Sequence, residues 1–217
     1  MKQIIAIFLF TVLNLMPAVV SADTLRLAVQ KIESEWANIH YNVAKEQQEA
    51  AYQLLLAEVK DLNKQYPDQA ELIIQQAIIV ASNADNIDAF SALEAINQAR
   101  ELLLLAIQLD PNASEGAAFV TLGSLYYMVP GWPIAFGDND KANALLKKAL
   151  AINPNTIDAN FYYGDFLATL GKRQQALTYF KRAVAIPVRK NQVFADTQLL
   201  KQAELAVLEN SQVIAAK

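Results

Sequence analysis

The residues able to do chemistry in this chain are few and scattered. Its 217 residues include one histidine, His40, and no cysteine. Without cysteine there is no thiol nucleophile, disulfide, Cys-ligated zinc or iron–sulfur cluster, and a single imidazole cannot form a multi-His metal cage. His40 lies between Ile39 and Tyr41, and the only acid at helical spacing is Glu33, seven residues earlier. A structural histidine on a helix is therefore the expectation. Asp158 and Asp165 share a helix face, but seven residues separate them by about 10.5 Å along the axis. That exceeds the ~5–9.5 Å of paired glycosidase carboxylates. The run Gly137-Asp138-Asn139-Asp140 lacks the regular acidic alternation and closing Glu of a calcium loop. Asp138 precedes a helix and is expected to cap it. No phosphate-cradling loop, nucleophile elbow or HExxH helix occurs. These absences predict a non-enzymatic protein with no catalytic residue, no metal and no cofactor.

Composition narrows the partners. With 54% apolar and 18% charged residues the chain can bury a core, so disorder throughout is excluded. A net charge of −4 argues against nucleic acid, which requires a basic face to displace phosphate counterions. Residues 1–22 place Lys2 before an apolar run from Ile4 to Leu15, then Pro17 and the short residues Val20-Ser21-Ala22. This pattern predicts a signal peptide cleaved before Asp23, delivery to the periplasm or outside the cell, and no membrane span thereafter.

The elements that would position any site read as helices. Leu25, Val29, Ile32, Trp36, Ile39 and Val43 form one apolar stripe; Tyr52, Leu55, Val59, Leu62 and Tyr66 form a second. Residues 23–67 are thus N-terminal helices packing on the repeats, as one helix or as two broken near 41–46. Beyond them a small–bulky–small row recurs: Ala99, Leu103, Ala106; Ala142, Leu146, Ala149; and Ala176, Phe180, Ala183. Small side chains allow close helix approach, the bulky residue fills the gap, and Pro111, Pro154 and Pro187 end the units. Gly123 and Gly164 stand in the first helices of the last two units.

The spacing of Gly, Ala, bulky residue, Ala and Pro in residues 116–155 and 157–187 resembles the tetratricopeptide repeat. Seven extra residues separate the helices of the first of these units, and Asn160 stands where a Trp is usual. Residues 68–112 match in their second half, with a long inter-helix segment expected over about Ser82–Ala92. The stretch LGSLYYMVPGWPIAFGDNDKANALLKKALAINP resembles exported bacterial tetratricopeptide proteins, including the T component of TRAP-type solute transporters. The fold expected is all-α, a short α-solenoid of three degenerate helix pairs (68–112, 116–155, 157–187). Residues 188–192 are expected to form a basic linker, and 188–217 as a whole a linker plus a C-terminal capping helix begun by Asp196.

Two groups of residues are candidates for binding a partner or ligand. Trp132, Ile134 and Phe136 lie on the loop 129–138, where they either plug the open end of a helix pair or overhang a groove and stack on a partner. The resemblance further implies a concave face carrying Ala117, Val120, Ser124, Tyr127 and Met128, then Asp158, Phe161, Asp165, Ala168 and Thr169. From these, Tyr127, Met128, Trp132, Phe136, Phe161, Asp165 and Thr169 are the candidate contacts. The function expected is a protein–protein interaction scaffold binding a protein or peptide. The alternative implied by the resemblance is a small-ligand-binding accessory, partnered by a membrane transport component.

Overall fold

The computed structural model describes residues 22–216. The signal peptide expected over 1–22 lies, but for its last residue, outside the described residues. Among those described there are nine α-helices and no strand: α1 Ala22–Asn42, α2 Lys45–Gln65, α3 Ala70–Asn83, α4 Ala89–Leu109, α5 Ala117–Met128, α6 Asn139–Ile152, α7 Ile157–Thr169, α8 Arg173–Ala185 and α9 Val193–Ala215. Residues 22–65 form two helices, broken at Val43-Ala44, where Ala44 takes an extended conformation (φ −57°, ψ 142°). Gln48 stabilises the break by donating from Nε2 to the carbonyls of Ile39, His40 and Val43, which α1 leaves unpaired at its end.

The tightest packing is within the pairs α3–α4, α5–α6 and α7–α8. The recurrent rows are the reason. Ala99, Leu103, Ala106, Ala142, Leu146, Ala149, Ala176 and Ala183 are fully buried and Phe180 is 1% exposed. The glycine of the facing helix meets the bulky residue of the row. A Cβ on Gly123 would stand 2.7 Å from Leu146 Cγ, and one on Gly164 would stand 2.9 Å from the Phe180 ring edge. Ala77 occupies the corresponding eighth position of the α3–α4 pair and is also fully buried. Because these alanines face a neighbouring helix, Ala142→Leu and Ala176→Leu should each destabilise by about 1–3 kcal/mol through overpacking. Thermal denaturation of the two variants is the check; melting near that of the parent would contradict the packing.

The segment between α3 and α4 departs from the expectation of a long loop. Its extra residues are helical instead: a single 3₁₀ turn, Ala84–Asn86, is followed by a 21-residue α4. The Asp88 carboxylate caps α4 by accepting from the amides of Phe90 and Ser91. Asp138 caps α6 in the same way, accepting from Asp140 and Lys141. Both carboxyls are held below the usual carboxylate range, Asp88 first by the Ser91 hydroxyl and then by the Ser91 amide, Asp138 first by the Lys141 amide.

The odd-numbered helices form the inner layer, each packed on the next: α1 on α3, α3 on α5, α5 on α7, α7 on α9. The even-numbered helices lie outside them. The curvature is strong enough that α1 also packs against α9, so the inner helices close into a ring.

Candidate functional site

The loop 129–138 leaves α5 and returns to α6 with its backbone pinned at several points. Gly137 N–H donates to Pro130 O at 2.9 Å, Asp138 N–H to Tyr126 O at 2.8 Å, and Ile134 N–H to Gly131 O at 3.2 Å. Any Cβ at Gly137 would collide with the carbonyl of Val129 and the backbone of Pro130, so the loop closes this tightly only with glycine there. The three large side chains separate in role. Phe136 turns inward: its ring lies 5.2 Å from Tyr126 edge-on, and the Arg100 guanidinium caps it 4.6 Å from the centroid. Trp132 is 90% exposed, Ile134 65% and Met128, at the end of α5, 61%. One ring therefore fixes the loop to α4 and α5 while two apolar side chains project from it, beside the exposed Met128 at the end of α5.

The structure divides the candidate concave residues between the inner helices and the interior of the fold. Tyr127 donates its hydroxyl to Asp165 Oδ2 at 2.7 Å, linking α5 to α7. Burial first, then the Asp165 charge, raises the Tyr127 phenol far above its usual range, so it remains a neutral donor. Phe161 does not line a groove; it packs toward α8 and α9, its ring 5.7 Å from Phe180. Thr169 is exposed and donates to Phe166 O in the last turn of α7. Val120 and Ser124 are buried, the Ser124 hydroxyl returning to Val120 O. Of the seven candidate contacts, Tyr127 and Asp165 are thus brought together, Met128 and Trp132 stand exposed near one another in sequence, and Phe136, Phe161 and Thr169 serve the fold.

The ring interior carries a polar cluster. Arg189, expected in a simple linker, donates to Asp196 from Nε (3.1 Å to Oδ2) and from a terminal nitrogen (2.6 Å to Oδ1). Its backbone N–H also reaches Asp196 Oδ2, and its guanidinium lies 3.4 Å from Asp158. Asp196 is therefore not the cap of α9. That helix starts at Val193, and the Asp196 side chain, 1% exposed, is turned back onto the arginine. Burial works against the Arg189 charge, but the Asp196 hydrogen bonds and neighbouring carboxylates overcome it and raise its pKa. Burial is also what raises Asp158. Opposite, on α1, Glu33 accepts from Gln75 at 3.1 Å and from Gln192. Above this cluster Tyr41 of α1 meets Phe194 of α9 edge-to-face at 6.2 Å.

A recess of about 570 Å³ opens beside the cluster, bounded by Leu25, Val29, Glu33, Glu71, Glu115 and Arg189 among others. None of the seven candidate contacts lines it. His40 lies flat on the Trp36 indole, 5.1 Å between centroids, with Nδ1 3.3 Å from the Tyr52 hydroxyl. Burial lowers its pKa, in keeping with a structural imidazole. Among the described residues no group of His, Asp and Glu is arranged to hold a metal, and no helix is long and apolar enough to cross a membrane.

Comparison with known proteins agrees with this architecture. A family model described as a tetratricopeptide repeat matches residues 134–189, which span α6, α7 and α8. No curated protein matches the sequence. Among solved structures, TTC0263, a thermophilic TPR protein of Thermus thermophilus, aligns at a TM-score of 0.57 and 19% identity, covering 86% of this chain and 98% of that one. MamA aligns at a TM-score of 0.44 and 18% identity, covering 80% of this chain and 96% of that one. The fold is a short tetratricopeptide α-solenoid. Stacked helix pairs of this class offer extended surfaces to protein partners.

Proposed function

We propose that the protein is a non-enzymatic interaction scaffold, exported across a membrane by its first 22 residues, that grips a protein partner through the loop 129–138. The observation carrying this reading is the 90% exposure of Trp132 on a loop whose backbone is already pinned. A large ring held in water without covering the core contributes nothing to the fold by burial. Placed in a partner's pocket, it supplies the apolar area of an interface anchor, with little ordering entropy left to lose. Met128 and Ile134 flank it as further apolar contacts. The closed ring supports the same choice of surface, since it leaves the concave face little room for an extended peptide.

Trp132→Ala separates scaffold anchor from core plug. Its melting temperature should equal that of the parent, because surface substitutions away from packing stay within about 0.5 kcal/mol. Partner capture by the immobilised protein from a periplasmic extract should fall at least tenfold. A drop in melting temperature by several degrees, or capture unaffected by the substitution, would overturn the reading.

A further inference from the structure

The contact that closes the ring is built unlike the rest of the fold. Of the buried apolar residues of α1, Val29, Ile32 and Ile39 pack with α2 and α3, while the Ala37 methyl, fully buried, faces residues 191–195. Those of α9, Leu199 and Ala203, pack with α7 and α8. Ala37 apart, neither set faces the other end of the chain. What spans the seam between α1 and residues 189–195 is the Glu33–Gln192 hydrogen bond, the Tyr41–Phe194 edge contact and the small Ala37 side chain beside Ala195. Two voids flank it, the recess of about 570 Å³ and a smaller one of about 80 Å³ beside Ala37 and Ala195. Val193 and Phe194 stay 51% and 38% exposed along it. Separating such a seam would uncover little apolar surface and leave both ends of the solenoid with their cores intact.

We propose that this seam is a clasp that holds the concave face shut and parts when Glu33 carries its charge. Glu33 is met by amides rather than by a cation: Gln75 from α3 and Gln192 from the 186–192 segment. The one guanidinium near it, Arg189, is engaged by Asp196 and Asp158. From the other elements around it, α3 presents Glu71, the turn before α5 presents Glu115, and α1 itself presents Arg26, which pairs with Asp23. Lys31 is taken by Glu35 and Glu58 on the opposite side of α1. An ionised Glu33 would thus be a third carboxylate beside a single arginine in a partly buried seam, and opening would hydrate it. The face so uncovered carries Tyr41, Tyr162 and Asp158 and is separate from the loop 129–138, so the clasp stands or falls independently of the function proposed above.

Burial pushes the Glu33 carboxyl up to about 7, against the opposing pull of Arg189 and Gln192 and with added push from Asp158 and Asp196. The closed form therefore binds the proton more tightly than the open one. Below about 4.5 Glu33 is neutral in both; between about 4.5 and 7 the closed form loses ground as pH rises; above 7 the balance is level. From pH 5 to pH 8 the opening constant should rise about 70-fold.

The chain has no cysteine, so a single pair of spin labels can be placed at Asn38→Cys and Lys201→Cys, exposed positions on α1 and α9. Pulsed electron–electron distances should show one short population at pH 5 and an added longer one at pH 8. With Glu33→Gln added, the short population should persist alone at both pH values. Glu33→Met, which also removes the charge, repeats the test if the amide variant does not fold. A distance distribution that is the same at pH 5 and pH 8, or a pH response that survives loss of the Glu33 carboxyl, overturns the clasp.

Discussion

Arg189→Met is expected to lower the stability of the fold by about 3 kcal/mol, the lower end of the range for breaking a buried ion pair. The lower end applies because a third of the Arg189 side chain reaches solvent, whereas Asp196 is only 1% exposed. Removing the guanidinium strands the Asp196 carboxylate without its charged donors, and Asp158 loses the same partner at 3.4 Å. The methionine recovers some packing but no hydrogen bond. At about 2–4 °C per kcal/mol for a chain of this size, the melting temperature should fall by roughly 10 °C. The deficit should shrink as the pH is lowered, since burial already raises the Asp158 carboxyl and loss of the opposing guanidinium lets it take up a proton more readily. Asp196→Asn in the same background should restore part of the loss at neutral pH, because it removes the buried charge that the arginine had paired. Calorimetric melting of the parent and the two variants at pH 5 and pH 8 is the measurement. A pH-independent deficit would mean that Arg189 contributes by packing alone.

That arginine also marks where sequence reasoning stops. The small–bulky–small rows are legible because each is a local periodicity on one helix, and their burial follows from the pairing of neighbours in the chain. The pinch of α1 against α9 has no such signature. Glu33 and Gln192 are 159 residues apart, and they meet only because the per-repeat rotation accumulates along the stack of helix pairs between them. Asp196 reads as a cap because a short polar residue precedes an apolar run, yet the structure spends it on Arg189, seven residues earlier, and starts α9 without a side-chain cap. Phe161 and Thr169 are misplaced by the repeat register for a related reason. In a ring this tight α7 is rotated toward α8 and α9, so positions that would line an open groove meet the neighbouring pair or the helix end instead. The loop 129–138 is legible as unusual, but its split into one inward ring and two outward side chains depends on Arg100 of α4 being at hand to cover Phe136.

The largest effect inside a repeat is expected at Phe180. Its ring is 1% exposed and lies against Gly164 and Phe161, so Phe180→Ala should destabilise by about 3–5 kcal/mol through lost burial and the cavity left behind. The glycine opposite offers a sharper test than the truncation alone. A Cβ at Gly164 would meet the Phe180 ring at 2.9 Å and the Ala176 carbonyl at 3.3 Å. Helix propensity favours alanine over glycine by about 1 kcal/mol, whereas overpacking of this kind loses about 1–3 kcal/mol. In the parent the clash should win, and Gly164→Ala should be destabilising. Once Phe180→Ala has removed the ring, the added methyl has room, and the same substitution should become stabilising by up to about 1 kcal/mol. The change of sign isolates the ring as the group that excludes a Cβ. If Gly164→Ala destabilises equally in both backgrounds, the Ala176 carbonyl is what demands glycine, and the close approach of α7 to α8 is set by backbone rather than by the aromatic row. Gly123 and Leu146 face each other in the same way at 2.7 Å, so a matching sign change there would extend the rule to both pairs that carry the glycine.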